Sequence, residues 1–237
     1  FMKWNIAAIA GVILFASSAQ AGVVLGGTRV IYPADQAEVQ ISLKNKDNDE
    51  RYLVQSWVSN VDDSKAPFVI TPPIYKLEEG RQTLLHVVYT GNGSALPQDR
   101  ESIFLVNVKS VSAIPESLKN KNTLQFAIKT RVKLFWRPGK LNGYDAKTAW
   151  EKIQFHRQGN QLIAKNPTPY YITFGQLTVG GKAVVPSDEK NTPSAISMMV
   201  APLSEQHFTL LAGSTGNAEW TAINDFGTET VSHKQSL

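Results

Sequence analysis

The chain has 237 residues, of which 42% are hydrophobic and 19% charged, with a formal net charge of +4 and no cysteine. This composition is typical of a globular protein with one large or two small domains, and it excludes collagen-like, disordered and multi-span membrane proteins. The lack of thiols also excludes disulfide scaffolds, thiolate zinc sites and cysteine nucleophiles. The four histidines show no metal-ligand spacing, so neither a metal nor a cofactor is expected.

Residues 1–21 are predicted to be a secretory signal peptide. Lys3 precedes an apolar run over 6–16, and Ala19 and Ala21 form a small-residue cleavage pattern before Gly22. The run is too short to span a bilayer, and no later stretch is long enough. We therefore expect residues 22–237 to be exported and not inserted in a membrane.

Alternation of apolar and polar residues dominates the rest of the chain and predicts strands rather than helices. Seven strand-like runs in residues 22–142 favour an immunoglobulin-like sandwich. After a break at 137–144, a second series of short runs predicts another sandwich over 143–237. The predicted fold class is therefore all-β, with two immunoglobulin-like domains. The predicted strands are 28–32, 39–43, 52–58, 68–71, 82–89, 103–108, 123–136, 153–156, 161–164, 170–174, 176–179, 196–200, 207–211 and 218–223. The polar tail 232–237 is expected to fray.

The run over 123–136 is long for a strand, and it allows two interpretations. Its apolar face comprises Leu124, Phe126, Ile128, Thr130, Val132, Leu134 and Trp136. The segment could be a core strand with a polar outer face. Alternatively, its first half could be an edge strand that pairs with a partner protein by β-augmentation.

Basic residues cluster between Lys119 and Lys140, where no acidic residue interrupts them. Such a cluster indicates either a solvated face or a site for an acidic or carboxylate-bearing protein. Nucleic acid is not an expected partner of an exported protein. Asp62 and Asp63 are interpreted as part of a solvated turn.

Enzymatic motifs are absent from the sequence, which contains no GxSxG, P-loop or GxGxxG after a strand. We therefore predict that the protein is not an enzyme.

A secreted adhesin or sugar-binding module is the alternative function, because β-sandwiches host many such proteins and tryptophans stack on sugars. The candidate stacking residues are Trp57, Trp136, Trp150 and Trp220.

Several segments together resemble the periplasmic pilus-assembly chaperones of the PapD-like family, over essentially the whole chain after residue 21. They are TR at 28–29, TPP at 71–73, LEEG at 77–80, LPQDRESIFLVN at 96–107, KLFWRP at 133–138, NPTPYY at 166–171 and INDFG at 223–227. Two departures are Leu105, where the family usually has an aromatic residue, and the lack of the cysteine pair that some members carry.

The resemblance implies a boomerang of two domains with a cleft that holds and folds incomplete pilus subunits by donor-strand complementation. Arg29 and Lys133 match the family's anchor for the subunit's C-terminal carboxylate. The apolar residues that would fill the subunit's groove correspond to Leu124, Phe126 and Ile128, with Thr130 next on the same face. The resemblance also implies a periplasmic location, delivery to an outer-membrane usher and possible self-association of the free protein.

Two finer expectations follow from the same resemblance. Glu101, Arg137 and Asp225 match a set of charges that bridges the two domains and would fix the cleft angle. The short interval between Val108 and Thr123 resembles the short-loop subclass, which is associated with rod-forming pili.

Overall fold

The computed structural model describes residues 22–141, 143–187 and 196–237, so the predicted signal peptide lies outside the described residues. The first domain consists of strands in two sheets. The strands are β1 (Val23–Leu25), β2 (Arg29–Pro33), β3 (Val39–Asn45), β4 (Tyr52–Ser59), β5 (Phe68–Thr71), β6 (Ile74–Leu77), β7 (Gln82–Tyr89), β8 (Ser102–Ser112) and β9 (Ala127–Arg137).

The two sheets of the first domain have the orders β1-β3-β7-β5 and β2-β9-β8-β4-β6. All pairs are antiparallel except β2 with β9, which run parallel with Arg29 opposite Lys133. β9 is therefore held on one side by β8 along nearly its whole length and on the other by β2 only from Lys133 onwards.

The core of the first domain follows from the alternation of apolar residues along each strand. In β4, Tyr52, Val54 and Val58 are buried, whereas Leu53 and Gln55 between them are exposed. Residues from both sheets form one buried cluster that includes Leu43, Leu85 and Leu134. Burial of each such side chain contributes about 1.5–3 kcal/mol of hydrophobic stabilisation, so this core supports the domain.

The second domain begins with a short helix and continues as another sandwich. Its elements are α1 (Gly143–Thr148), β10 (Gln154–Gln158), β11 (Gln161–Asn166), β12 (Ile172–Val179), β13 (Lys182–Ala183), β14 (Val185–Pro186), β15 (Met199–Val200), β16 (Ser204–Thr209), β17 (Ala218–Ala222) and β18 (His233–Gln235). One sheet has the order β10-β11-β16-β14 and the other β13-β12-β17-β18, with β15 also paired to β12.

Aromatic side chains fill the core of the second domain. Trp220 is 1% exposed and packs against Phe155, with ring centroids 4.7 Å apart. Its indole nitrogen donates a hydrogen bond of 3.1 Å to the carbonyl of Trp150, which satisfies the polar atom of a buried ring. Each domain thus has its own core, as expected for two sandwiches.

The predicted all-β class with two domains is confirmed, and the differences lie in individual elements. β9 begins at Ala127 rather than at 123, because the register with β8 ends where Val111 lies opposite Ala127. The predicted strands at 170–174 and 176–179 form the single strand β12, whose register with β17 shifts between Phe174 and Gln176. The chain also contains α1, although no helix was predicted.

The C-terminal tail was expected to fray, and this expectation is wrong for β18. Its three residues pair with β17, with His233 opposite Trp220. Gln235 also exchanges side-chain hydrogen bonds with the backbone of Phe155, at 3.0 Å and 2.6 Å. The tail can complete the sheet although it is polar, because backbone hydrogen bonds and the Gln235 amide hold it and no apolar side chain is needed.

Candidate functional site

The cleft between the domains is centred on Arg29 and Lys133. The parallel pairing of β2 with β9 places these residues opposite each other on adjacent strands. Both line an open cavity of about 420 Å³, together with Leu105 and Arg131 from the first domain and Ile223 from the second. The structure therefore brings together the two cations that the sequence singled out.

Arg29 is fixed by contacts to both domains. Its Nη1 donates a hydrogen bond of 2.9 Å to the carbonyl of Ile223, and its guanidinium lies 5.2 Å from the ring centroid of Phe135. Burial lowers the pKa of Arg29, although the carboxylates of Asp225 and Glu101 oppose this effect. Because arginine stays protonated at any physiological pH, the side chain presents a fixed positive charge to the cleft.

Lys133 carries a charge that its surroundings do not neutralise. Burial, and secondly the nearby charge of Arg29, lower its pKa to about 8. Within the described part of the chain, no acidic side chain forms an ion pair with Lys133. An anion entering the cleft would compensate this charge, and a carboxylate fits the donors that the two side chains offer.

One flank of β9 lies open beside Lys133. Among the described residues, residues 127–132 pair only with β8, so the backbone on the other flank lacks a strand partner. On the apolar face, Val132 and Leu134 are buried in the core, but Ile128 is 58% exposed and Thr130 half-buried. The apolar face of β9 is therefore uncovered in the first half of the strand and buried in the second half.

Two further apolar side chains precede β9. Leu124 is 80% exposed and Phe126 is 69% exposed, and both lie outside the strand. Gln125, between them, donates a 2.8 Å hydrogen bond from its side-chain amide to the carbonyl of Ser112. The structure thus places all four predicted groove-filling residues along one exposed segment, and only Ile128 and Thr130 belong to the strand.

Arg137 links the two domains through carboxylates on both. Its Nε donates to Glu101 Oε1 at 2.8 Å, and its Nη1 and Nη2 donate to the two oxygens of Asp225 at 2.8 Å and 3.0 Å. Burial acts to lower the pKa of Arg137, but hydrogen bonds and charge from Asp225 and Glu101 outweigh it and raise the pKa above its ordinary value. The predicted charge set is therefore assembled, and it is partly buried rather than exposed.

Neighbouring groups strengthen this boundary, and sequence patterns did not indicate them. The backbone N–H of Tyr171 donates to Glu101 Oε2 at 2.8 Å, and the ring of Tyr171 packs on Phe135 with centroids 5.6 Å apart. Leu105 and Phe135 are buried although they point away from the core of the first domain. Apolar residues at outward-facing positions of β8 and β9 could have indicated from the sequence that this face is covered by the second domain.

The domains also meet at the cleft where Gly227 of the second domain lies against the side chain of Thr28 in the first. Gly227 adopts φ +81°, and a β-carbon built there would lie 2.2 Å from Oγ1 of Thr28. Such a distance is far shorter than any contact between non-bonded atoms. Position 227 therefore favours glycine, because its backbone is left-handed and a side chain would displace the Thr28 hydroxyl.

Other candidate sites find less support. Trp136, Trp150 and Trp220 are at most 7% exposed, so they are not available to stack on sugars. The described residues contain no group of acidic and histidine side chains arranged to hold a metal ion. Within the same residues, no helix has the length and hydropathy needed to cross a membrane.

Comparison with known proteins places these features in a family. Residues 22–142 match the family model described as "Pili and flagellar-assembly chaperone, PapD N-terminal domain", and residues 148–234 match "Pili assembly chaperone PapD, C-terminal domain". The chain is 38% identical to chaperone protein FimC of Escherichia coli over 94% of this chain and 89% of the relative. It is 41% identical to the probable fimbrial chaperone LpfB of Escherichia coli over 95% and 94% of the two chains.

Solved structures show the same relationship. The chain is similar to the Escherichia coli chaperone DraB, with a TM-score of 0.76 and 33% identity over 92% of this chain and 99% of that one. It is equally similar to the chaperone SafB solved with the SafA pilin from Salmonella enterica, with a TM-score of 0.76, 33% identity and coverage of 92% and 97%.

Proposed function

The chain belongs to the PapD-like family of pilus-assembly chaperones, and from this premise we propose that it binds and folds a pilus subunit that lacks one strand of its own core. The relatives above are named as fimbrial chaperones, and one similar structure is a chaperone with a pilin. The observation that carries the proposal is the open flank of β9, which ends beside Arg29 and the unneutralised charge of Lys133. The family is one of chaperones, and we assign the cleft a binding role without catalysis.

The subunit's C-terminal carboxylate is the ligand proposed for Arg29 and Lys133. The guanidinium offers planar donors and the ammonium a point charge, so together they form charge-assisted hydrogen bonds to one carboxylate. Partial burial of both cations strengthens these bonds relative to bonds formed in bulk water.

The position of the anchor also determines the direction of the bound strand. The open flank covers residues 127–132, and the anchor lies at its C-terminal end. A strand whose terminal carboxylate sits at Lys133 has its preceding residues beside 132 to 127. The subunit strand therefore runs parallel to β9.

The exposed apolar side chains supply the missing part of the subunit's core. Leu124, Phe126 and Ile128 are more than half exposed in the free protein. Full burial in the subunit's groove stabilises the complex by roughly 1.5–3 kcal/mol for each side chain. Thr130 follows on the same face, closest to the anchor. The backbone of β9 adds the hydrogen bonds of β-augmentation.

The charges at the domain boundary have an architectural role in this proposal. Glu101 and Asp225 lie on different domains, and the guanidinium of Arg137 holds both. Because bidentate ion pairs are strongly directional, they fix the angle of the cleft. The anchor then keeps its position relative to Ile223 of the second domain.

The proposal further includes export and transfer of the bound subunit. Cleavage after residue 21 would leave an N-terminal domain at 22–142 and a C-terminal domain at 143–237 in the periplasm of a Gram-negative cell. There the complex delivers its subunit to an outer-membrane usher. The short segment before β9 is typical of the short-loop subclass, and self-association of the free protein would cover its exposed edge.

Co-expression with a candidate pilus subunit tests the function. Periplasmic extracts containing wild type, Lys133→Ala or Lys165→Ala would be purified and the complexes weighed by native mass spectrometry. Lys165 is exposed on β11 of the second domain and serves as the matched control. We expect a one-to-one complex with wild type and Lys165→Ala but not with Lys133→Ala. Equal yields from all three proteins would contradict carboxylate anchoring.

A further inference from the structure

A charged cluster lies on the same face of β9 as Lys133. Lys129, Arg131 and Lys133 occupy alternate positions, so their side chains project from one side of the sheet, about 6.8 Å apart along the strand. Arg131 lines the cleft together with Lys133. A carboxylate that enters the cleft therefore meets more than one cation at which it could stop.

Asp63 distinguishes these cations from each other. Its carboxylate forms an ion pair with Nη2 of Arg131, and the same Oδ1 lies 3.9 Å from Nζ of Lys129. In the described residues, Lys133 receives no comparable acidic partner. Two of the three cations on this face thus share a counter-charge, and the third does not.

The position of Arg131 is fixed by a second contact. Its Nε donates a 3.0 Å hydrogen bond to Oδ1 of Asn107, whose side chain is fully buried. The Asn107 amide nitrogen in turn donates to Ser59 Oγ at 2.9 Å. Asn107 and Asp63 together therefore hold the guanidinium of Arg131.

The turn that carries Asp63 is also well defined. The Asp63 N–H donates to the carbonyl of Asn60 at 3.1 Å, and the Asn60 N–H donates to the carbonyl of Ser64 at 2.9 Å. Asp63 has φ +67°, a left-handed conformation that Asp and Asn adopt more readily than most residues. The sequence suggested only a solvated turn at Asp62 and Asp63, but the second of them contacts β9.

We propose that Asp63 is a positioning residue that masks Arg131 and Lys129, so that the terminal carboxylate of a bound strand engages Arg29 and Lys133. This inference rests on the proposed function. A strand that slips by two residues keeps the same side chains on the same face, so side-chain alternation alone does not prevent such a slip. A carboxylate stopped at Arg131 would shift the whole strand by two residues towards Ala127. Asp63 disfavours that register because it both pairs with Arg131 and repels the incoming carboxylate.

Photo-crosslinking of a defined peptide tests this proposal. The probe is a synthetic peptide of about twelve residues with leucine at alternate positions, a benzophenone side chain near its C terminus and a free terminal carboxylate. Its C-terminal amide is the control. Crosslinked residues of the full chain are identified by mass spectrometry for wild type, Asp63→Asn, Asp62→Asn and the double variant Asp63→Asn with Arg131→Gln.

The expected result is a change in register and not only in yield. Wild type and Asp62→Asn should give one group of crosslinks with the acid peptide. Asp63→Asn should give a second group, shifted by two residues towards Ala127, and the double variant should lose that second group. Asp62 Oδ1 accepts hydrogen bonds from the N–H and the hydroxyl of Ser64, so Asp62→Asn removes the same charge without unmasking Arg131.

Different outcomes separate failure of this inference from failure of the proposed function. An identical crosslink pattern for wild type and Asp63→Asn, with both dependent on the free carboxylate, would overturn the masking role and leave the function intact. Equal crosslinking of the acid and amide peptides by wild type would reject carboxylate anchoring itself, and the masking role with it. Asn tolerates the left-handed backbone at position 63, and a circular-dichroism melt confirms that each variant is folded.

Discussion

Arg137 and Asp225 form a bidentate ion pair across the domain boundary, with Nη1–Oδ2 and Nη2–Oδ1 distances of 2.8 Å and 3.0 Å. The same guanidinium donates to Glu101, whose side chain is 2% exposed. Loss of Arg137 therefore leaves a buried carboxylate without its cation.

Arg137→Ala is expected to lower the free energy of unfolding by roughly 2–4 kcal/mol, because the buried charge of Glu101 loses its partner. Adding Glu101→Gln to this variant should recover part of the loss, since it removes the unpaired charge. Asp225→Asn should cost less, because the Asp225 side chain is 38% exposed. Urea unfolding followed by circular dichroism measures all three. No recovery in the double variant would show that packing, and not charge, dominates the loss.

Lys133→Met is expected to stabilise the free protein at pH 7 while it abolishes subunit binding. The pKa of Lys133 is lowered to about 8, so its ammonium group is still charged at pH 7. This charge is partly buried in the folded protein and fully hydrated in the unfolded chain, so it destabilises the folded state. Removing it should raise the free energy of unfolding by about 1–2 kcal/mol after allowance for partial exposure.

The pH dependence of this effect has a definite sign. Between about pH 8 and the ordinary lysine value, the unfolded chain binds the proton more tightly, so wild-type stability rises with pH across this window. The stability gap between wild type and Lys133→Met should therefore shrink above pH 8. A gap that stays constant from pH 7 to pH 10 would contradict the lowered pKa.

Subunit affinity should depend on pH in the opposite direction. A bound carboxylate raises the pKa of Lys133 above its free value of about 8, so the full contribution to affinity is present below pH 8 and is lost as pH rises through the bound pKa. Dissociation constants for the acid peptide between pH 7 and pH 10, measured by calorimetry, test this. Lys133→Arg is the control, because a guanidinium stays charged and its affinity should remain flat over this range.

Phe126→Asp should impair capture without unfolding the protein. Phe126 is 69% exposed and precedes β9, so its replacement should change the free energy of unfolding by less than about 0.5 kcal/mol. Capture should weaken at least tenfold, because a carboxylate would enter an apolar groove in the subunit. Asn122→Asp adds the same charge at an exposed position nearby, and it should bind like wild type. Equal capture by Phe126→Asp would remove this residue from the groove-filling set.

Two substitutions on the same face of β9 should differ sharply in stability. Leu134 is fully buried in the core, so Leu134→Ala should cost about 2–5 kcal/mol of unfolding free energy. Ile128 is 58% exposed, so Ile128→Ala should cost less than about 0.5 kcal/mol and should instead weaken subunit binding. Similar stability losses at both positions would mean that the first half of β9 packs on its own domain.

Alternation of apolar residues was sufficient to predict most strands and the two-domain, all-β fold. It failed where the local pattern carries little signal: β1 is a three-residue strand, and none of the residues of β6 except Leu77 is buried. β18 is polar and was not predicted, because backbone pairing and the Gln235 amide hold it in place and neither depends on hydrophobic periodicity.

The candidate site was predictable from the sequence only in part. Arg29, Lys133 and the bridging charges were identified by their resemblance to family motifs, because residues far apart in sequence meet only in the folded chain. Tyr171 contributes a backbone N–H to Glu101, a role that does not depend on its side-chain type. Asp63 stands in a stretch with ordinary turn composition, and its pairing with Arg131 depends on how that turn lies against β9.

Gly227 of the second domain lies so close to Thr28 of the first that a side chain at position 227 would disturb this contact. A β-carbon at position 227 would displace the Thr28 hydroxyl, and Thr28 directly precedes the strand that carries Arg29. Ile223, whose carbonyl accepts the 2.9 Å hydrogen bond from Arg29, lies in the same short segment as Gly227. A substitution at position 227 is therefore expected to act on the contact between the domains rather than on the core of either one.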